Sequence, residues 1–115
     1  MSKNIVCIKQ SLAKSPRYEC EYLDLVTALA SFDFHIDLIF QDDGVFSLLA
    51  PDNENTHSKR LQSLPLFDVQ DIWVDKDSLM LRNLTQAPLS IAAKKISKST
   101  INSLLQRKDV EVYVL

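Results

Sequence analysis

Ile36-Asp37-Leu38-Ile39-Phe40-Gln41-Asp42-Asp43-Gly44-Val45-Phe46-Ser47-Leu48-Leu49 is the stretch on which the fold turns. It reads as a buried strand over 36–41, a tight acidic turn, and a short helix over 44–49 that begins at once with apolar residues. Gly44 is the only glycine in the chain. A lone glycine marks a place where the backbone is left-handed or crowded, since only glycine enters such regions without a Cβ penalty. The same count excludes the usual nucleotide-binding α/β enzymes. Their phosphate loops need several glycines close together so that backbone can approach phosphate oxygens.

Outward from this stretch, strand and helix signals alternate. Ile5, Val6, Cys7 and Ile8 make a strand over 3–9, too continuous for a half-exposed hairpin and suited to a buried parallel position. Ser15 is placed as an N-cap, with Pro16 at the first helical position, where its missing N–H costs nothing. The helix predicted from 16 to about 32 carries Tyr18, Tyr22, Leu25, Val26, Leu29 and Phe32 on one stripe. A loop over 50–57 precedes a helix over 58–64 that stops near Pro65, with Leu61, Leu64, Leu66 and Phe67 as its apolar contacts. Ile72-Trp73-Val74 lie in a third strand over 71–75, followed by a helical turn over 78–82 that Asn83 ends by tolerating a left-handed conformation. A fourth strand is predicted over 89–93. A helix from 97 to about 108 turns Ile101, Leu104 and Leu105 inward and sets Arg107 and Lys108 at its negative end. In the last strand, 110–115, Val110, Val112 and Val114 alternate with Glu111 and Tyr113, a pattern for an edge position with one wetter face. Alternating strands and helices imply parallel pairing through right-handed crossovers. The fold class is therefore α/β, a three-layer α/β/α sandwich around a mostly parallel sheet; pattern leaves the strand order open.

At 115 residues the chain is expected to form one domain over 1–115. A formal net charge of -2 gives no global attraction to nucleic acid. Two cysteines make no disulfide framework, no leader resembles a signal peptide, and no segment has the length of a membrane span. The expected location is cytoplasmic. Charge is uneven: between Ser78 and Lys108 the chain carries Arg82, Lys94, Lys95, Lys98, Arg107 and Lys108 and no acid. Such a run reads as a solvated face or as a basic patch for an acidic partner, and no aromatic residues interleave with the lysines to stack nucleic-acid bases.

Chemistry has few candidates. Cys7, in mid-strand, reads as a small buried hydrophobe. Cys20 lies on the first helix between Glu19 and Glu21, whose charges disfavour a thiolate. Asp42 and Asp43 precede Gly44, as acids do in phosphatases that use strand–Asp-x-Asp-Gly and Mg²⁺. Here the two acids are adjacent and point different ways, so Asp43 as the cap of the following helix is the preferred reading, and an acid-cluster phosphatase using Asp42 and Asp43 the competing one. His35 and His57 have no second ligand at metal spacing. No catalytic residue, cofactor or metal is expected.

The strand–Asp-Gly-Val-Phe-x-Leu-Leu pattern, the Trp-containing third strand with its Leu-x-x-Arg segment, and the terminal strand together resemble the DsrE/DsrF-like sulfur-relay family, and within it the TusC, DsrF-type, branch. The resemblance covers nearly the whole chain and implies a five-stranded sheet with the last strand beside the first. It implies a non-catalytic subunit of a TusBCD-type hetero-oligomer that supports 2-thiolation of the tRNA wobble uridine. The partners would be TusB-like and TusD-like chains in a heterohexamer, with an indirect relay from a TusA-like donor and no direct tRNA contact. A DsrF-type subunit in dissimilatory sulfur oxidation is the alternative within the family. In catalytic relatives a cysteine follows the third strand; by spacing to Leu79, Arg82 and Asn83 its place falls at Asp75, and a carboxylate cannot carry sulfane sulfur. The thiol used near the C-terminus by other relatives is also missing. Function would then rest on surface, and Val45, Phe46 and Leu49 are the expected partner contacts, on a helix too short to bury them all.

Overall fold

The computed structural model describes residues 3–15 and 18–115. Five parallel strands form one sheet in the order β4-β3-β2-β1-β5. They are β1 (Asn4–Lys9), β2 (His35–Phe40), β3 (Asp71–Asp75), β4 (Lys94–Ile96) and β5 (Val110–Val114). The α/β sandwich and the position of β5 beside β1 are as expected. Strand parity divides the core in two. Ile5, Cys7, Ile36, Leu38, Phe40, Ile72 and Val74 face α1 (Glu21–Ala30) and the other segments of that layer. Val6, Ile8, Ile39 and Trp73 face α4 (Lys98–Leu105). The layers are unequal: α2 (Thr56–Gln62) and α3 (Lys76–Leu81) contribute Leu61 and Leu79 to the α1 side, whereas α4 lies against the other face. No described helix is long and apolar enough to cross a membrane.

Several boundaries differ from the sequence reading. The fourth strand is Lys94–Ile96, and residues 89–93 are not part of it. Leu89 instead makes an antiparallel bridge to Leu49, while Ser90 N donates to Leu48 O at 2.7 Å and Ala50 N to Pro88 O at 2.9 Å. That segment is a strap over the turn after β2; its apolar run looks like a strand because straps also bury side chains. The helix expected from Pro16 becomes regular only at Glu21, with Cys20 as its N-cap, and the Pro16 position lies outside the described residues. Its buried stripe is Tyr22, Leu23 and Val26, while Tyr18, Leu25 and Phe32 are exposed. The 58–64 helix is shifted to Thr56–Gln62, because Asn55 and Ser58 form a reciprocal capping box. A 3₁₀ segment, Leu64–Phe67, follows, and Leu66 is exposed rather than packed. α4 stops at Leu105, ahead of Asp109 in a left-handed conformation at φ 59°. Its N-cap is Ser97, the residue at which the sequence reading began the helix, accepting from Thr100 N. α3 ends in a Schellman motif: Asn83 at φ 56° donates to Met80 O and Leu84 N to Leu79 O, so Asn83 serves as expected.

Candidate functional site

The carboxyl ends of β1, β2 and β3 carry the residues singled out in the sequence. After β2 the chain turns into a 3₁₀ helix, Asp42–Leu48, in place of the α-helix predicted from Gly44. Gly44 does not have positive φ. A Cβ built on it would lie 1.9 Å from the carbonyl oxygen of Lys9, so the glycine is required for space. The left-handed positions among the described residues are Asp33, Asp42, Asp68, Asn83 and Asp109. Short polar side chains tolerate that region by bonding to nearby backbone.

Asp43 does not cap this helix. The N-cap is Gln41, which makes no side-chain cap bond. Asp43 Oδ1 instead accepts from Arg82 Nη2 at 2.9 Å and from Arg82 Nε at 3.2 Å. Asp42 turns its backbone N–H to Ser78 Oγ at 2.9 Å. The two acids are thus exposed and used separately, one as the anchor of an arginine.

Asp75 is the centre of the region. It ends β3, is fully buried, and caps α3 by accepting from Asp77 N at 3.2 Å. Ser78 Oγ donates to Asp75 Oδ2 at 2.7 Å, and Lys98 Nζ lies 3.3 Å from the same oxygen. A chain therefore runs from Asp75 through the Ser78 hydroxyl to the amide of Asp42, joining the carboxyl ends of β2 and β3. Chemically it is a saturated acceptor and a brace; a carboxylate so enclosed offers no nucleophile.

The two thiols differ in exposure. Cys7 is fully buried, and desolvation pushes its pKa up to about 11. Cys20 is partly buried, and its carbonyl accepts from Arg60. The three expected partner contacts separate. Val45 belongs to the core, Leu49 is half-buried under the 88–90 strap, and Phe46 is exposed. Val45 and Phe46 are adjacent and point to different sides, and Leu49 lies past the end of the helix in extended backbone. α3 packs on the 3₁₀ segment and exposes Met80 and Leu81, the latter by 81%. Leu79-Met80-Leu81 was the available signal: three successive apolar residues on a short helix cannot all face inward.

Three of the six basic residues of the run have acidic partners. Arg82 pairs with Asp43, Lys98 with Asp75, and Arg107 with buried Asp37 at 2.6 Å. Lys94 lies over the Trp73 ring and Lys95 donates to Thr85 O. Part of the basic downstream half neutralises acids of the upstream half, while Lys94, Lys95 and Lys108 stay exposed. At the opposite end of the sheet, His35, Asp37 and Asp71 place ligand atoms within 4.8 Å of one another. Asp37 already accepts from Trp73 Nε1 and from Arg107, so this is an ion-pair cluster around a buried acid.

One pairing had no sequence signal, because it joins residues 35 positions apart. Tyr22 OH and His57 Nε2 are 2.7 Å apart. Burial pushes the His57 pKa below its ordinary 6.5, with Lys9 and Arg60 adding to that and Glu19 opposing it. A folded-state value below the unfolded one means that the unfolded chain binds more protons below pH 6.5. Stability contributed by His57 is full above that pH and is lost as pH falls. His57→Gln, which keeps an acceptor for Tyr22, is expected to flatten the acid-side fall in melting temperature; parallel curves for the two proteins would show that His57 is not linked to folding.

Comparison with known proteins places this geometry. The family model for the DsrE/DsrF-like family matches residues 3–114. The "Protein TusC homolog" of Pseudomonas aeruginosa is 33% identical over 95% of this chain and 96% of its own length. The "Intracellular sulfur oxidation protein DsrF" of Allochromatium vinosum is 35% identical over 63% of this chain and 57% of its own length. Among solved structures, the ychN protein from E. coli aligns over the whole of both chains with a TM-score of 0.79 at 18% identity, a likeness of fold.

Proposed function

This chain belongs to the DsrE/DsrF-like family, and from that premise we propose that it is a TusC-like, non-catalytic subunit of a sulfur-relay complex. It acts as one domain over 1–115, in the cytoplasm, beside TusD-like and TusB-like chains in a TusBCD-type heterohexamer. The complex takes sulfur from a TusA-like donor and supports 2-thiolation of the tRNA wobble uridine. The observation that carries the reading is Asp75: where the family resemblance sets a sulfur-carrying cysteine, this chain has a buried carboxylate committed to Asp77 N, Ser78 and Lys98. Persulfide chemistry needs an accessible thiolate. Cys7 is fully buried with a raised pKa, which supports a subunit that carries no sulfur itself. The DsrF-type role in sulfur oxidation is the second reading. Similarity to the TusC homolog spans nearly both chains, against about three-fifths for DsrF, and favours the first. A phosphatase using Asp42 and Asp43 has less support, since Arg82 holds Asp43.

The test is a relay reconstituted with the TusB-like and TusD-like chains and ³⁵S-persulfide donor. The Cys7→Ala/Cys20→Ala variant is expected to support tRNA thiolation at near wild-type rate, with label on the TusD-like chain. Label on this chain that disappears with Cys20→Ala would overturn the reading. The partner surface is assigned to Phe46, Met80 and Leu81, exposed apolar residues on two segments that pack together. Apolar and aromatic side chains of this kind form the centre of stable interfaces. Leu81→Asp is expected to leave the melting temperature nearly unchanged and to weaken co-purification with the TusD-like chain at least about tenfold, the scale of a lost central contact. Undiminished co-purification would move the interface elsewhere.

A further inference from the structure

A second region at the carboxyl edge of the sheet has no part in this reading. From β1 the chain steps outward through β2, β3 and β4, then returns to lay β5 on the other side of β1. α1, which leaves β1, covers one face, and α4, which leads into β5, the other. Helices that diverge in this way leave a crevice beyond the strand ends at the point of reversal, the general location of ligand sites in open α/β sheets. Here the crevice is a cavity of about 490 Å³ between the ends of β1 and β5. That volume lies in the range of small-molecule pockets. Lys9 stands on one side and Leu115 on the other, where Leu115 N donates to Ile8 O at 2.7 Å and extends the β1–β5 ladder.

Lys9 is the unusual residue. It continues the Ile5–Cys7 parity into the α1 side of the core and is only 6% exposed. Its ammonium lies 4.7 Å from the centroid of the Tyr22 ring, and among the described residues it forms no salt bridge or hydrogen bond. Glu19 attracts it through space without pairing. A buried charge is costly unless it is paired. The chain's other buried ions obey that rule: Asp37 has Arg107 and Trp73, and Asp75 has Ser78 and Lys98. Desolvation lowers the Lys9 pKa and Glu19 partly restores it; its ammonium tip reaches the cavity, for Ser47 Oγ is the enclosed side-chain polar atom left without a partner among the described residues. The rest of the wall is mostly apolar or aromatic, with Leu12, Leu25, Leu115, Tyr18 and Tyr22. Lys14 and Glu21, both exposed, offset each other at the rim. The described lining side chains therefore carry two cations, Lys9 and Lys14, against one acid, Glu21.

We propose that this cavity binds a small organic monoanion, a carboxylate bearing an aromatic or aliphatic body, with the carboxylate on Lys9 Nζ and the body against Tyr22, Leu25 and Leu115. The cation selects charge and the apolar wall selects the body, so neither inorganic anions nor neutral isosteres satisfy both. The experiment titrates the full chain with 4-phenylbutanoate and with its neutral isostere, 4-phenylbutanamide, following backbone amides by NMR. The carboxylate is expected to saturate in the millimolar range or below, to shift the Lys9, Tyr22, Leu25 and Leu115 signals, and to bind at least about tenfold tighter than the amide, the size of one charge-assisted hydrogen bond. In Lys9→Met the two ligands should bind alike. Leu12→Trp, at an exposed position of the cavity wall, should alter the binding of both ligands, and it decides the matter if Lys9→Met fails to fold. Equal binding of carboxylate and amide to the wild type, shifts confined to another surface, or no saturation at millimolar concentration would overturn the proposal. Because this test involves neither Asp75 nor the partner chains, its failure leaves the relay reading standing, and the reverse also holds.

Discussion

Gly44→Ala is expected to lower the melting temperature by about 10–20 °C, following from a loss of about 3 kcal/mol in a chain of this size. The single added carbon would sit 1.9 Å from the Lys9 carbonyl oxygen and 2.5 Å from its carbon. Backbone cannot swing aside as a flexible side chain can. The Lys9 carbonyl is held further by Gln41 N, which donates to it at 3.0 Å, while Gly44 N donates to Gln41 O at 2.9 Å. Relieving the clash therefore breaks the junction between β1 and the turn after β2. Gly44→Val adds two further carbons and is expected to prevent stable folding. Asp42→Gly is the contrasting change: Asp42 has φ 51°, where glycine is at ease, so stability should be unchanged or slightly raised. A Gly44→Ala melt within about 2 °C of wild type would show that the approach is looser than the geometry requires.

Asp75→Ala is the second large effect, expected to cost about 3 kcal/mol. It removes a helix cap, worth about 1 kcal/mol, and a charge-assisted acceptor for Ser78, worth about 1.5–3 kcal/mol. The Ser78 hydroxyl, itself buried, would then lose the acceptor that orients it toward Asp42 N. Lys98 adds little, because its side chain is 60% exposed and water screens the pair. Asp75→Asn keeps an oxygen for Asp77 N and should cost less than alanine, and Lys98→Met less than about 1 kcal/mol. Urea unfolding of the three variants gives the order. A stable Asp75→Ala protein would mean that Asp75 is no brace, and the support it lends to a non-catalytic role would go with it. Asp75→Cys is expected to be destabilised as well, since a thiol accepts poorly from both Asp77 N and Ser78.

The alternation of apolar runs and helical periods determined the α/β class, because burial on both faces of a parallel sheet leaves continuous runs such as Ile5–Ile8 and Leu38–Phe40. Local chemistry was legible too. Asn83 ends α3 and α4 begins next to Ser97, since each depends on a few neighbouring backbone groups, and the lone Gly44 marked a constraint without its cause. Asp75 at the end of β3 drew notice in the sequence through the family resemblance alone. What Asp75 does there was not legible, because its partners come from α3, α4 and the turn after β2. Only tertiary structure decided that residues 89–93 strap the turn rather than join the sheet, since an apolar run says that side chains are buried but not which backbone they pair with. Only it decided that Gly44 is needed for space, because the clash is with Lys9, 35 residues away. The same reason, contact across distant sequence, turned Arg82, Lys98 and Arg107 into counter-ions for Asp43, Asp75 and Asp37, and left Lys9 at the wall of an open cavity without a salt bridge among the described residues.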